Sequence, residues 1–139
     1  MTATMSASAL DVLVDDHFAA EVDGDLSRLL ATFADDVEHD VVGWPTGPLR
    51  GKDAAREFYR HLTANFRTED ERPQHRYFAG DAMVLDQMMT GTVTGSMLGM
   101  PGNGRQVTFR ILHVFEFTDG LISRENVWLD GAAIQQQLA

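Results

Sequence analysis

The sequence predicts an α+β fold in which helices pack on one face of an antiparallel β-sheet. Apolar residues early in the chain recur at helical spacing, whereas most of the second half alternates apolar and polar residues as strands do. The sequence Thr118-Asp119-Gly120 is a tight-turn signal between the last two strand-like stretches. With 139 residues the chain has the usual size of one domain, so we expect a single domain over 1–139.

The first predicted helix runs from Leu10 to Val22, where apolar residues return every three or four positions. Ser8 can act as its N-cap, and Gly24 follows the last apolar residue, where a helix commonly ends. Residues 1–8 precede this pattern, and we expect them to be disordered.

The next part of the chain predicts a short helix at about 25–33, a strand and a longer helix. The segment 37–42 alternates as a strand does, and 43–48 must be a loop because it holds two prolines. Asp53 can cap a helix that continues to about residue 66. The segment 67–76 is charged and contains a proline, which indicates a crossing over the surface.

Three further strand-like stretches follow, at 77–94 with a break near 80–81, at 105–117 and at 121–129. A three-residue loop that ends at Gly120 would place His113 opposite Glu125, on a face that is otherwise apolar. A two-residue Asp-Gly turn would instead place His113 opposite Asn126. Both registers remain open from the sequence.

Composition excludes several classes of function. The net charge is −10, and residues 1–40 hold ten acidic residues and one basic residue, so we expect neither a nucleic acid nor a membrane surface as a partner. The chain has no cysteine, and hence no disulfide framework or thiolate nucleophile. Without an apolar run of about 20 residues or a signal-peptide pattern, we expect a cytoplasmic protein.

The pair of His113 and Glu125 is the strongest chemical feature of the sequence. Burial raises a carboxyl pKa and a nearby imidazolium lowers it, so such a pair can share a proton near neutral pH. It could therefore act as a general acid or base. The alternative is a structural hydrogen-bonded pair that only closes the sheet.

Four more polar residues fall on apolar patterns. His17 lies on the apolar stripe of the first helix, where it is either functional or a buried structural residue. Tyr59 lies on the apolar face of its helix and needs a partner for its hydroxyl if it is buried. His39 alternates with valines and can point inward, and Asp86 lies in an apolar strand, facing either the interior or solvent.

No metal ion or cofactor is expected, because the five histidines include no HxH or His-x3-His pair and no nucleotide-binding motif is present. The loop 95–105 combines four glycines with apolar side chains at its tip. It is either a lid over an apolar pocket or a long connection whose methionines pack on the core.

Five segments of the chain resemble the SnoaL-like polyketide cyclases. They are FADDV at 33–37, LRGKDAAREFY at 49–59, the glycine-rich loop at 95–105, HVFEFTDG at 113–120 and WLD at 128–130. This family belongs to the nuclear-transport-factor-2-like superfamily, with the ketosteroid isomerases and limonene-type epoxide hydrolases. The resemblance implies a cone-shaped, curved antiparallel sheet, with N-terminal helices on its concave face, an apolar cavity inside and a homodimer. The outer-face residues that would suit a sheet-to-sheet dimer contact are Leu112, Val114, Ile122 and Trp128.

The resemblance also implies roles for individual residues. His113 matches the cavity histidine of the cyclases and the position of the oxyanion-binding acid of the isomerases. His17 falls where the isomerases have their oxyanion-binding tyrosine. Tyr59 matches a tyrosine that supports that network.

Two positions depart from the family pattern. The acid that cyclases and epoxide hydrolases carry on the last strand corresponds to Val127, and the isomerase base corresponds to Val41. Glu125, two residues earlier on the same face, can replace the first carboxylate. Asp40 and His39 lie nearest to the second.

The resemblance therefore implies a cofactor-independent cyclase, isomerase or dehydratase that binds a polyketide-like or other apolar, oxygenated small molecule. His113 would move the proton, and Glu125 would orient His113 or balance its charge. His17 with Tyr59 would bind a carbonyl or enolate oxygen. The other expected substrate-binding residues are Trp44, His39, Asp86, Met88, Phe109, Ile111 and Val127. The alternatives are an epoxide hydrolase that uses Asp86 and Glu125, and a non-catalytic ligand-binding dimer.

Overall fold

The computed structural model describes residues 5–139, which contain four helices and eight strands. In chain order they are α1 (Ala7–Asp23), α2 (Leu26–Leu30), β1 (Phe33–Val41), β2 (Leu49–Arg50), α3 (Lys52–Asn65), β3 (Phe66–Ala79), β4 (Ala82–Val93), β5 (Ser96–Met97), β6 (Met100–Pro101), β7 (Arg105–Thr118), β8 (Leu121–Leu129) and α4 (Gly131–Leu138). Six strands form one sheet in the order β2-β1-β8-β7-β4-β3, and β5 pairs with β6 alone. The predicted α+β class is confirmed.

The first helix begins slightly earlier than the sequence predicts. Ser6, rather than Ser8, is the N-cap, and its hydroxyl accepts the backbone N–H of Ala9 at 3.2 Å. Gly24 ends the helix in the left-handed conformation, with φ of 70°, as predicted. Of the segment 1–8 that we expected to be disordered, residues 1–4 lie outside the described residues and α1 begins at Ala7.

The other helices differ in detail. The predicted helix at 25–33 is shorter, because Phe33 already belongs to β1. α3 begins after Gly51 without a side-chain cap, and Asp53 lies in its first turn instead of capping it. α4 was not predicted; Asp130 caps it by accepting the backbone N–H of Ala133. No helix in the described part of the chain is long and apolar enough to cross a membrane.

The segment 67–76 is part of β3, not a surface crossing. β3 pairs antiparallel with β4 along its whole length and forms the edge of the sheet. An edge strand exposes most of its side chains, which explains its charged sequence, and it tolerates Pro73 next to a register shift. Charge and a proline together therefore gave the wrong prediction here.

The sheet is mixed, whereas we expected it to be antiparallel throughout. β1 runs parallel to β8, with His39 beside Glu125 and Val41 beside Val127. β1 and β8 lie near opposite ends of the chain, so no hairpin turn forces them to pair antiparallel. This pairing brings the first strand of the chain beside the last one.

The β7–β8 hairpin combines a two-residue turn with a β-bulge. Both turn residues, Asp119 and Gly120, have positive φ angles of 53° and 78°, which is typical of a type I′ turn. Beyond the turn the register shifts by one residue, so that His113 lies opposite Val127 and Phe115 lies opposite Glu125. Neither predicted partner of His113 is correct, but His113 and Glu125 do share one face of the sheet.

That face is the core of the protein. Side chains of β4 and β7 alternate between buried and more exposed along both strands, and α1 and α3 cover the buried side. The largest buried apolar residues include Phe33, Met83, Leu85, Phe109 and Phe115. Polar residues on this face are therefore shielded from water.

Candidate active site

Glu125 is the centre of a buried polar cluster and is 1% exposed. The Tyr59 hydroxyl donates a hydrogen bond to its Oε1 at 2.8 Å, and His39 Nε2 lies 3.4 Å from the same oxygen. On the other side, His17 Nε2 and His113 Nε2 lie 3.4 and 3.6 Å from Oε2. Three imidazoles and one phenol therefore surround a single carboxylate.

Five elements contribute one residue each to this cluster. β8 carries Glu125, β1 places His39 beside it through the parallel pairing, and β7 carries His113 on the same face. His17 and Tyr59 are buried on α1 and α3, which cover that face. The sequence predicted the inward direction of each side chain but not their meeting point.

The hydrogen bonds of His17 determine where its protons lie. Thr32 uses its own hydroxyl proton to bind the Leu29 carbonyl at 2.6 Å, so it can only accept from His17 Nδ1, which lies 3.0 Å away. Nε2 faces the Glu125 carboxylate and must also carry a proton, since a lone pair there would be repelled. His17 is therefore an imidazolium paired with the Glu125 anion.

His39 and His113 are arranged differently. Their Nε2 atoms face Glu125, which favours a proton on Nε2 and a lone pair on Nδ1. Neither Nδ1 atom has a hydrogen-bond partner among residues 5–139, and both are buried. Each ring packs on an aromatic neighbour, with centroids 4.4 Å apart for His39 and Phe58 and 5.4 Å for His113 and Phe115. Both imidazoles thus have a buried Nδ1 atom without a partner among the described residues.

Burial and charge act in opposite directions in this cluster. Burial tends to raise the pKa of Glu125, but His17 and His39 lower that pKa well below its usual value. Burial tends to lower the pKa of His17, and Glu125 outweighs it, so the pKa of His17 is raised. Burial is the largest cause that lowers the pKa of His113 to about 4; His17 and His39 lower it further, and the attraction of Glu125 opposes them only in part. At neutral pH the cluster thus holds an ion pair and an uncharged His113.

The uncharged state of His113 predicts a pH dependence of folding stability. In the unfolded chain a histidine titrates near about 6.5, whereas the pKa of folded His113 is about 4. Between these values only the unfolded chain binds the proton, so stability increases with pH, by about 3 kcal/mol across the window. Urea unfolding at pH 6.5 and pH 4 should show that His113→Asn loses this part of the dependence. The variant His61→Asn, at an exposed position, should retain it, and an unchanged slope in His113→Asn would contradict the assignment.

A small cavity lies next to the cluster. Its volume is about 50 Å³, which is room for only a few water molecules, and its wall is mainly apolar. The polar residues on the wall are Glu21, His39, Trp44, Tyr59, His113 and Glu125. A larger cleft of about 560 Å³ lies outside it, and Trp44 and Met97 line both spaces. These two side chains therefore separate the inner cavity from the outer cleft.

Most of the expected pocket residues line this cavity. Trp44, His39, Phe109, Ile111 and Val127 do so, together with Tyr59, His113 and Glu125. The loop 95–105 contributes Met97 to the wall, in agreement with its interpretation as a cover. Met97 is only 5% exposed, so this loop residue is also packed in the core. The segment is therefore both a cover of the cavity and a connection that packs on the core.

Asp86 and Met88 do not line the cavity. Both lie on the opposite face of β4, because inward-facing residues of this strand have odd numbers. Asp86 instead binds Arg110 through two hydrogen bonds of 2.5 Å. The epoxide-opening alternative required Asp86 beside Glu125, and the two carboxylates lie on different faces of the sheet.

His17 and Tyr59 also differ from their expected role. Both nitrogens of His17 face Thr32 or Glu125, and the Tyr59 hydroxyl donates to Glu125. The Tyr59 hydroxyl is therefore used within the cluster, and both His17 nitrogens face cluster residues and not the cavity wall. Sequence analysis missed Glu21, which lines the cavity; its spacing of four residues from His17 on α1 was the available signal.

Comparison with known proteins identifies the family. The model of the SnoaL-like polyketide cyclases matches residues 14–138, nearly the whole chain. The chain belongs to the SnoaL-like polyketide cyclase family. No curated protein matches this SnoaL-like chain.

Solved structures of other proteins share the SnoaL-like fold. A SnoaL-like protein from Jannaschia sp. CCS1 is 20% identical, with a TM-score of 0.83 over 98% of this chain and 96% of that one. TsrD from Streptomyces laurentii is 21% identical, with a TM-score of 0.82 over 97% and 98%. An LEH-like epoxide hydrolase from M. tuberculosis is 18% identical, with a TM-score of 0.74 over 94% and 90%. At these identities the likeness establishes the fold alone.

Proposed function

We propose that the chain is a cofactor-independent acid–base enzyme of the cyclase, isomerase or dehydratase type. Its substrate would be an apolar, oxygenated, polyketide-like small molecule, and it would act in the cytoplasm. The observation that supports this most is the Glu125 carboxylate, which is held among three imidazoles on the wall of a mainly apolar cavity. Family membership agrees with the proposal.

His113 is the base in this proposal. Its uncharged Nδ1 takes a proton from a carbon next to a substrate carbonyl, and the electron pair of that C–H bond moves to the carbonyl oxygen. Glu125 faces the other nitrogen and stabilises the imidazolium that forms. The enolate then regains the proton at a different carbon, or its carbon attacks a second carbonyl and closes a ring.

His17 and Tyr59 act on the carboxylate in this mechanism, not on the substrate. His17 balances the charge of Glu125, and Tyr59 fixes the position of Oε1. His39 faces Glu125 in the same way as His113 does, and it is the second imidazole on the cavity wall. A site with two oriented imidazoles can move a proton between two substrate carbons.

Enolisation of a model ketone tests the proposal without knowledge of the natural substrate. We expect the protein to catalyse exchange of the α-protons of 2-tetralone for deuterium in D2O, followed by ¹H NMR. His113→Ala should reduce this rate by roughly 100-fold or more, because the base is lost. His75→Ala removes an exposed histidine on β3 and should retain the wild-type rate.

The same experiment separates an enzyme from a ligand-binding module. If wild-type protein binds 2-tetralone by fluorescence or NMR but never accelerates its exchange, the enolisation chemistry is wrong and a binding role is the better interpretation. A rate in His113→Ala equal to that of the wild type would remove His113 from the mechanism.

We also propose a homodimer formed through the outer face of the sheet. Trp128 is 41% exposed on that face, and Leu112 and Val114 lie beside it. Ile122, which we expected to join this contact, is fully buried in the core instead. Analytical ultracentrifugation of the wild type and of Trp128→Arg decides the question, since a charge at this position should favour the monomer.

A further inference from the structure

A second pair of carboxyl groups lies next to the cavity, apart from Glu125. Glu21 on α1 lines the cavity, and Glu71 on β3 lines a cleft of about 330 Å³ on the outer side. α1 packs on β3, where the Thr68 hydroxyl donates to Glu21, and each of the two carboxyl groups affects the pKa of the other. The pair therefore lies between the cavity and this second cleft, whose lining residues do not include Trp44.

This pair lacks hydrogen-bond donors. Both carboxyl oxygens of Glu71 are buried without a donor among the described residues. Gln87, which is 1% exposed and lines the same cleft, also has an unpartnered Oε1 there. Thr68 is the one side chain that donates to Glu21 within residues 5–139, at 3.4 Å from Oε1. Three buried acceptor oxygens beside this cleft thus lack a hydrogen-bond donor among the described residues, which is costly.

The surrounding charges do not supply a counter-ion for Glu71. The cleft also contains the acidic side chains of Asp15, Glu69 and Asp70, and its cation, Arg76, is paired with Asp15 and Asp11. On the cavity side, His17 attracts Glu21 and Glu125 repels both carboxyls. Burial is the largest cause that raises the pKa of each group, and their mutual repulsion adds to the rise for Glu71.

We propose that Glu21 and Glu71 hold one proton between them and that Glu21 presents this proton to a substrate oxygen in the cavity. Glu21 is then the catalytic acid that complements His113, and Glu71 is a positioning residue that keeps Glu21 protonated. When His113 removes a proton from carbon, the electron pair reaches the carbonyl oxygen, and the Glu21 proton is donated to that oxygen. Glu21 recovers its proton from the enol O–H when the His113 imidazolium returns a proton to carbon, so the pair again holds one proton at the end of the cycle.

The cavity otherwise lacks a suitable acid. Tyr59 donates to Glu125, and the protonated nitrogens of His39 and His113 face the same carboxylate. The Glu125 carboxyl itself is ionised. The Trp44 indole N–H is not an acid in this pH range, so Glu21 is the acidic group on the cavity wall whose proton is not already used by the Glu125 cluster. This role depends on the proposed function, whereas the shared proton does not.

Infrared spectroscopy detects the shared proton directly. We expect wild-type protein at pH 7 to show the carbonyl stretch of a protonated carboxyl group, and we expect Glu21→Gln and Glu71→Gln each to lose it. In each variant the new amide can donate to the remaining carboxylate and allow it to ionise. Glu69→Gln, a neighbouring exposed glutamate on β3, should retain the band. Absence of the band in the wild type, or its persistence in both variants, would overturn the proposal.

Kinetics with 2-tetralone test the catalytic part. Glu21→Gln and Glu71→Gln should each lower kcat for deuterium exchange by roughly 100-fold at pH 8, with little change in KM. Lowering the pH to 5 should restore most of the rate in Glu71→Gln, because Glu21 is protonated again, and should not restore it in Glu21→Gln. Equal pH profiles for the two variants would assign a structural role to both residues and overturn the catalytic assignment.

The two proposals fail in distinguishable ways. If wild-type protein has the infrared band but does not exchange the protons of 2-tetralone, the proposed function and the catalytic role of Glu21 are wrong, and the shared proton is still established. If exchange occurs without the band, the proposed function holds and the carboxyl pair is not its proton donor.

Discussion

Replacement of Glu125 by glutamine is expected to lower the rate of 2-tetralone exchange by about 10²- to 10⁴-fold. The amide has nearly the same shape but no charge, so it cannot stabilise a protonated His113. It also removes the attraction that raises the pKa of His17, so His17 should titrate below about 6.5 instead of above it. Exchange rates, together with NMR titration of the histidines, measure both effects.

Glu116→Gln is the matched control for this experiment. Glu116 is an exposed glutamate on β7, at the surface end of the same hairpin. Its replacement should leave both the exchange rate and the titration of His17 unchanged. A Glu125→Gln variant that keeps the wild-type rate would show that the buried cluster is structural, which is the alternative left open by the sequence.

Replacement of His17 by leucine is expected to reduce the free energy of unfolding by about 3 kcal/mol or more at pH 7. The variant leaves the buried Glu125 carboxylate without its cation and leaves the Thr32 hydroxyl without the imidazole. Urea unfolding with a double-mutant cycle tests this, because adding Glu125→Gln should recover most of the loss.

The exposed position His61 provides the comparison. His61→Leu on α3 should change stability by no more than about 0.5 kcal/mol. If His17→Leu is as mild as this control, then His39 or His113 carries the positive charge instead. The double-mutant cycle would then show no coupling between positions 17 and 125.

The sequence predicts those elements whose pattern reflects local burial. The periodicity of α1 and α3 and the alternation of β7 are accurate because each element buries one face against the same core. Residues 67–76 of β3 were missed, since an edge strand satisfies its backbone on one side and need not bury its side chains. The parallel pairing of β1 with β8 depends on distant parts of the chain and leaves no local signal.

For the candidate site, the sequence predicted which face of the sheet carries the key residues but not their exact partners. His113 and Glu125 were expected on one face, and they are, although the turn and bulge change their partners by two residues. A shift of two residues preserves the face, so the error in register did not affect the site. Glu71 could not be foreseen, because its burial depends on contact with α1 and its segment is otherwise charged and exposed.

The Trp44 and Met97 side chains, which lie between the inner cavity and the outer cleft, affect both the rate and the affinity of ligand binding. A space of about 50 Å³ is far below the roughly 300–1,000 Å³ of most small-molecule sites. A ketone that enters from the outer cleft therefore reaches His113 in conformers in which Trp44 and Met97 have moved apart. The observed dissociation constant is then the intrinsic one divided by the fraction of open conformers. Smaller side chains at these two positions would speed ligand entry and tighten apparent binding while the chemical step remained unchanged.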